Sequence, residues 1–76
     1  MFKAAIKEQM EKWQIKNANQ LSKLAGIDYR TASKVVNTDE DISLLVVGKI
    51  SKVFGFKGLL EFRKYAMENH SEDKDG

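Results

Sequence analysis

Residues Asn17 to Asn37, NANQLSKLAGIDYRTASKVVN, decide the fold, because their pattern predicts two short helices joined by a tight turn at Gly26. Asn17 can cap the first helix: its side chain can accept a hydrogen bond from the amide of Asn19 or Gln20, and Gln20 can reach back in the manner of a capping box. Gly26 stands where the chain must take a left-handed conformation, which costs a residue with a Cβ about 1 kcal/mol or more. The first helix is therefore predicted to begin after Asn17 and to end at Gly26.

The second helix of the pair is predicted to run from Tyr29 to about Asn37. Asp28 is a suitable cap for it, and Ile27 leads the chain from the turn into the core. Apolar residues at helical spacing predict the inward faces of both helices. These residues are Leu21, Leu24 and Ala25 in the first helix, and Ala32, Val35 and Val36 in the second.

The outward face of the second helix carries hydrogen-bonding and cationic side chains and no carboxylate. Its residues are Tyr29, Arg30, Ser33, Lys34 and Asn37. Such side chains suit the base edges and phosphates of double-stranded DNA, so base contacts are expected from Tyr29, Arg30, Ser33 and Lys34. Phosphate contacts are expected from Lys16, Asn17, Asn19, Gln20 and Asn37. For Tyr29, a half-buried surface tyrosine is the alternative.

This pattern resembles the helix-turn-helix of the lambda-repressor-like family, which includes phage repressors, Cro proteins and Xre-type regulators. The resemblance covers roughly residues 3 to 66. It rests on an apolar residue before the turn glycine, an aliphatic residue and a cap after it, two buried positions in the recognition helix, and a glycine stop after a later helix. These positions are Leu21, Gly26, Ile27, Asp28, Ala32, Val35, Phe54 and Gly55.

The chain departs from the family pattern in three places. Ser22 replaces the usual alanine, and Ala32 is smaller than the usual isoleucine or valine. Asp39, Glu40 and Asp41 follow the recognition helix, where a basic or neutral loop would favour phosphate; a solvated loop near the start of the next helix is expected there. The resemblance implies a repressor-like or Cro-like transcriptional regulator of a phage or mobile element, which binds an inverted repeat in DNA as a homodimer.

Three further helices are predicted around the pair, which gives an all-α bundle of about five short helices. The helix at the start of the chain has Phe2, Ile6, Met10 and Trp13 on its inner face. Its other face carries Lys3, Lys7, Glu8, Glu11 and Lys12. The fourth begins after Ser43, buries Val47, Ile50 and Phe54, and stops at Gly55; a strand over residues 44–47 is the alternative. The fifth starts near Lys57 and buries Leu59, Phe62 and Ala66.

The fourth and fifth helices carry more apolar side chains than one core face needs. Leu45, Val46, Gly48, Leu60 and Met67 are therefore predicted to form a homodimer interface. A glycine inside a helix costs about 1 kcal/mol relative to alanine and often marks the close approach of another backbone. Packing of the fifth helix over Gly48 within one chain, or simple exposure of these aliphatic residues, are the alternatives.

Composition predicts one small domain over residues 1–70 and a disordered acidic tail, SEDKDG, over residues 71–76. The chain of 76 residues has no cysteine, which excludes a disulfide scaffold and a thiolate metal site. Its start, MFKAAIKEQM, lacks the apolar run of a signal peptide or membrane helix, so a cytoplasmic location away from membranes is expected. The net charge is +2, while residues 1–38 alone carry +4, from six Lys and one Arg against two Glu and one Asp.

No catalytic pattern is visible in the sequence. It has no nucleophile beside a base, no paired carboxylates in an apolar setting and no phosphate-binding glycine loop, so neither an enzyme nor a cofactor, metal or small-molecule site is expected. His70, the single histidine, lies at the edge of the tail.

Two other functions stay open at this point. In one, the chain is a protein-interaction module, such as an antitoxin or antirepressor component, that uses its fourth and fifth helices. In the other, it is an excision or architectural factor of a mobile element.

Overall fold

The computed structural model describes residues 2–70, which fold into five α-helices. These are α1 (Phe2–Lys12), α2 (Ala18–Ala25), α3 (Tyr29–Asn37), α4 (Leu44–Val53) and α5 (Leu59–Asn69). No strand occurs in this part of the chain, so the predicted all-α bundle is confirmed and the strand alternative at the start of α4 is wrong. The tail predicted over residues 71–76 lies outside the described residues.

The ends of α2 are fixed by local hydrogen bonds, as the sequence predicts. The Asn17 side chain accepts from the Gln20 amide at 2.9 Å, while the Gln20 side chain accepts from the Lys16 amide at 2.6 Å. At the other end Gly26 takes the left-handed conformation, with φ at 69°, and its amide donates to the Ser22 carbonyl at 3.0 Å. α2 therefore stops at the residue that can turn the chain at least cost.

α3 and α4 begin at side-chain caps of the same kind. Asp28 accepts from the Thr31 amide at 2.8 Å, and Ser43 accepts from the Val46 amide at 3.3 Å. Hydrogen bonds from the Thr31 side chain and then its amide hold the pKa of Asp28 below its usual 3.8. The caps set where both helices start, and the predicted starts are confirmed.

The core lies between all five helices and centres on Phe62. This side chain is fully buried, and its ring stacks on Phe2 at 5.9 Å and meets the edge of Phe56 at 5.0 Å. The other buried apolar residues are Ala5, Ile6, Met10, Ile15, Ala18, Leu21, Ala32, Val35, Val47, Ile50, Phe54 and Ala66. The inner faces predicted for α3, α4 and α5 are confirmed at their central positions.

Trp13 does not belong to the core, and its predicted place there is wrong. α1 ends at Lys12; the Trp13 amide still donates to the Gln9 carbonyl at 2.9 Å, but Gln14 then takes a left-handed conformation with φ at 58°, so Trp13 lies where the helix stops. The indole is 50% exposed and donates to the Gln9 side chain at 3.2 Å.

Leu24 is also misplaced by the sequence prediction, since it is 60% exposed. The buried side of α2 is set by Ala18, Leu21 and Ser22. Leu24 falls at the edge of that side, where it borders a shallow depression with Lys49 and Lys52 of α4.

A polar network joins α1 to the end of α5. The Tyr65 hydroxyl donates to the Glu8 carboxylate, the Gln9 amide donates to the Tyr65 oxygen at 3.2 Å, and His70 Nε2 lies 2.6 Å from Glu8 Oε1. The Tyr65 and His70 hydrogen bonds lower the pKa of Glu8 from its usual 4.5, and the carboxylate raises the pKa of Tyr65 above 10.0. Glu8 was predicted only to face solvent, but its hydrogen bonds connect α1 to the end of α5.

This network predicts a pH-dependent effect of Glu8→Gln. Because the folded-state pKa of Glu8 lies below 4.5, its contribution to stability is present above pH 4.5 and is lost as pH falls through the folded-state value. Glu8→Gln should therefore lower Tm near pH 7, and the gap to the wild type should close below pH 4.5. Thermal melts followed by circular dichroism measure this, with Glu11→Gln on the same helix as control. A gap that stays constant down to pH 3 would contradict the assignment.

Candidate nucleic-acid interface

α3 is held by its inner face and leaves its outer face in solvent. Ala32 and Val35 are buried at 0% and 2% exposure. On the opposite side Tyr29 is 58% exposed, which is compatible with a DNA contact and with the surface-tyrosine alternative. Arg30, Lys34 and Asn37 are exposed, and Ser33 is partly buried. The structure therefore brings the predicted base-contacting residues to one accessible helix face.

Few protein contacts occupy that face. Asn37 Nδ2 donates to the Ser33 hydroxyl at 3.2 Å, and Lys34 Nζ lies 3.8 Å from the Glu40 carboxylate. Both members of the ion pair are more than half exposed, and such pairs contribute about 1 kcal/mol or less. Lys34 is thus free to exchange Glu40 for a stronger anion.

Glu40 reaches Lys34 because Thr38 fixes the start of the following loop. The Thr38 hydroxyl donates to the Lys34 carbonyl at 2.8 Å and accepts from the Glu40 amide at 3.1 Å. The loop of Asp39, Glu40 and Asp41 was predicted to be solvated. The structure adds that one of its carboxylates, that of Glu40, lies against the outer face of α3. Threonine after a helix end is the sequence feature that could have indicated this turn.

Lys3 supports the carboxyl end of α3, a role that the sequence did not reveal. Its ammonium donates to the Lys34 carbonyl at 2.9 Å and to the Thr38 carbonyl. A cation at this end satisfies unpaired carbonyls and complements the helix dipole. Lys3 was predicted to face solvent, and no local pattern could have found a contact that spans 31 residues.

The residues predicted to contact phosphate lie at the start of α2. Lys16, Asn17, Asn19 and Gln20 are all exposed. The side-chain oxygens of Asn17 and Gln20 are engaged in the cap. Their NH₂ groups, the Lys16 ammonium and the exposed end of the helix remain available to an anion.

The five residues predicted to form a dimer interface fall into separate environments. Leu45, Leu60 and Met67 are 73%, 79% and 46% exposed, whereas Val46 packs against the core. A Cβ built on Gly48 would lie 3.7 Å from the Leu59 Cβ, so α5 packs over this glycine within the same chain. This packing agrees with the intrachain alternative, although at this distance it does not require a glycine, and the dimer itself stays a prediction.

No protein-family model, curated protein or solved structure matches this chain. None of the helices formed by residues 2–70 has the length and apolar content needed to cross a bilayer. Within the same residues, no group of three or more histidine or carboxylate side chains is arranged to hold a metal ion. The geometry of α2, α3 and their flanking loops is therefore the basis for a function.

Proposed function

We propose that this protein is a sequence-specific, double-stranded DNA-binding transcriptional regulator of the lambda-repressor-like, Cro type. The observation that carries the proposal is the outer face of α3, where the helix itself contributes exposed Tyr29, Arg30, Lys34 and Asn37 and no carboxylate. Buried Ala32 and Val35 pack the opposite face of α3 into the core, and the turn at Gly26 connects α3 to α2.

The dimensions of α3 suit the major groove. An α-helix with its side chains is about 10–12 Å across, which fits the groove width of about 12 Å, and the nine residues of α3 extend about 13 Å along its axis. Arg30, in the first turn, can hold guanine O6 and N7 with its planar fork. Ser33 and Lys34 follow one turn later and would read the neighbouring bases.

The start of α2 supplies contacts of another kind. Lys16 and the amide groups of Asn17, Asn19 and Gln20 would hold phosphate oxygens and fix the register of α3 on the duplex. Such contacts carry affinity for any sequence, whereas the α3 contacts carry the preference for one site.

In vitro selection from random duplexes, followed by a salt titration of binding, tests the proposal. We expect one sequence to be enriched, and binding to it to exceed binding to random duplex at every salt concentration. Affinity for both should fall as salt rises, because bound phosphates release counterions. Failure to enrich any sequence, with equal affinity for all duplexes, would overturn the proposal.

A homodimer is expected to form through the exposed face of α5 that carries Leu60 and Met67. The two residues lie seven positions apart, so they share one helix face. Sedimentation equilibrium at micromolar protein concentration should detect a dimer, either of the free protein or of the protein bound to DNA. Leu60→Ser combined with Met67→Ser should shift it to monomer, whereas Leu24→Ser, at a position 60% exposed on α2, should not.

If the dimer forms, the selected sequence should contain an inverted repeat with half-site centres about 34 Å apart. The longest dimension of one molecule is 33 Å, which is compatible with that spacing for two copies side by side. A monomer at all concentrations, with one copy per duplex, would contradict the dimer but not the DNA contacts of α3.

Neutralising the acidic loop with Asp39→Asn, Glu40→Gln and Asp41→Asn should tighten binding to every duplex without changing the preferred site. Of the three substitutions, Glu40→Gln alone should account for the largest part of the gain in affinity, since it frees Lys34 from an ion pair that contributes roughly 1 kcal/mol or less. Fluorescence anisotropy on selected and random duplexes measures both affinities. Glu68→Gln on α5 is the control, and an equal gain there would mean that only net charge matters.

A further inference from the structure

DNA binding does not explain a groove between α4 and the start of α5. Its volume is about 680 Å³. It is lined by Leu44, Leu45, Gly48 and Leu59 with Lys49, Lys52, Lys57 and Gly58. Leu44 and Leu45 are 57% and 73% exposed, although both are large aliphatic side chains. Two neighbouring large apolar side chains therefore lie in solvent along this groove.

The charged residues that line the groove are all lysines. Lys49, Lys52 and Lys57 line it and no carboxylate does. Glu61, the nearest acid along α5, accepts from the Lys57 amide at 2.7 Å, and neither of the ion pairs within residues 2–70 involves these lysines. A second depression of about 350 Å³ shares Lys49 and Lys52 and adds Leu24. The apolar surface therefore continues around α4, with lysines along it.

We infer that this groove binds an amphipathic helix of another protein, which presents leucine-like side chains to the floor and Glu or Asp to the lysines. Along α4, Leu45, Gly48, Lys49 and Lys52 follow the spacing i, i+3, i+4, i+7, so they form one stripe. A helix laid along such a stripe buries its apolar face while its acidic flanks meet the lysines. This inference concerns a different surface from α3 and does not depend on DNA binding.

A second copy of this chain fits the groove less well. Pairing the groove with itself about a two-fold axis would bring Lys49, Lys52 and Lys57 of both copies together, which like-charge repulsion disfavours. DNA would match the lysines but not the exposed Leu44 and Leu45. An acidic amphipathic helix matches both the apolar floor and the positive rim.

Gly48 keeps the centre of the groove open. Packing within the chain does not require a glycine there, since a Cβ would lie at an ordinary contact distance of 3.7 Å from Leu59. Gly48→Ala should therefore fold, and should melt higher because alanine favours a helix. A bulkier Gly48→Met would instead fill the floor on which the partner helix sits.

The probe is a fluorescein-labelled synthetic peptide of about 16 residues, long enough to form a helix. It carries leucine at i, i+3, i+4 and i+7 with glutamate on the flanks, and a scrambled peptide of the same composition serves as its control. Fluorescence anisotropy with the full-length protein should show binding of the first peptide only. Lys49→Glu combined with Lys52→Glu should weaken it at least tenfold, as should Leu45→Ser and Gly48→Met.

Lys7→Glu combined with Lys12→Glu is the matched control, since it changes net charge equally on α1, away from the groove. These variants and Gly48→Ala should melt cooperatively, which separates loss of binding from loss of fold. Lys49→Glu with Lys52→Glu should also keep the site preference of α3, so a failure of this inference is distinguishable from a failure of DNA binding.

Three results would overturn the inference. One is equal binding of the ordered and scrambled peptides. Another is an equal loss in the Lys7→Glu, Lys12→Glu control. The third is binding of phosphatidylglycerol vesicles, but not of the peptide, that depends on Lys49 and Lys52, which would assign the groove to an anionic lipid surface.

Discussion

Arg30→Ala should weaken binding to the selected DNA site by about 1 to 3 kcal/mol and relax the preference at one base position. Arg30 is exposed in the first turn of α3, where a guanidinium can hold two acceptors of one guanine. The loss should be smaller on random duplex, where that base contact is not made. Anisotropy titrations against the selected site and its single-base variants measure both effects.

Lys16→Ala provides the contrast, because this residue lies at the start of α2 and is expected at phosphate. It should weaken binding to selected and random DNA by similar factors. The slope of log K against log salt concentration should become shallower by about one per half-site. Arg63→Ala, on the exposed side of α5, is the matched control and should leave the single-base preference intact. If Arg30→Ala and Lys16→Ala both leave binding unchanged, α3 is not the recognition helix and the protein-interaction function becomes the better account.

Phe62→Ala should remove a large part of the stability of the fold. Phe62 is 0% exposed, and removing a buried phenylalanine costs about 3 to 5 kcal/mol. A domain of 76 residues is expected to have roughly 4 to 11 kcal/mol in total. Each kcal/mol lowers Tm by about 4 to 8 °C in a domain of this size. Thermal and urea melts followed by circular dichroism measure the loss.

Leu60→Ala is the control for this experiment, since Leu60 lies on the same helix and is 79% exposed. As an exposed substitution it should change stability by about 0.5 kcal/mol or less in the monomer. Equal melting of Phe62→Ala and wild type would mean that the aromatic cluster around Phe62 does not hold α1, α4 and α5 together.

The sequence was sufficient for the starts of α2, α3 and α4, for the end of α2 and for the exposed face of α3. Asn17, Asp28 and Ser43 each cap through a hydrogen bond three residues away, and Gly26 turns the chain by its own conformation. The exposed face follows from helical spacing once Ala32 and Val35 are known to point inward. All of these features depend on residues within about one helical turn, so a linear pattern contains them.

Contacts between helices were decided only by the tertiary structure. Lys3 reaches α3 across 31 residues, and Glu8 meets Tyr65 across 57. The exposure of Leu24, the groove beside Gly48 and the approach of Glu40 to Lys34 likewise depend on how the helices and loops pack. Periodicity shows which side of a helix is apolar, but it does not show which neighbour covers that side or how far the cover extends. For this protein, local hydrogen bonds therefore determine the elements, and packing determines which of their exposed surfaces can bind a partner.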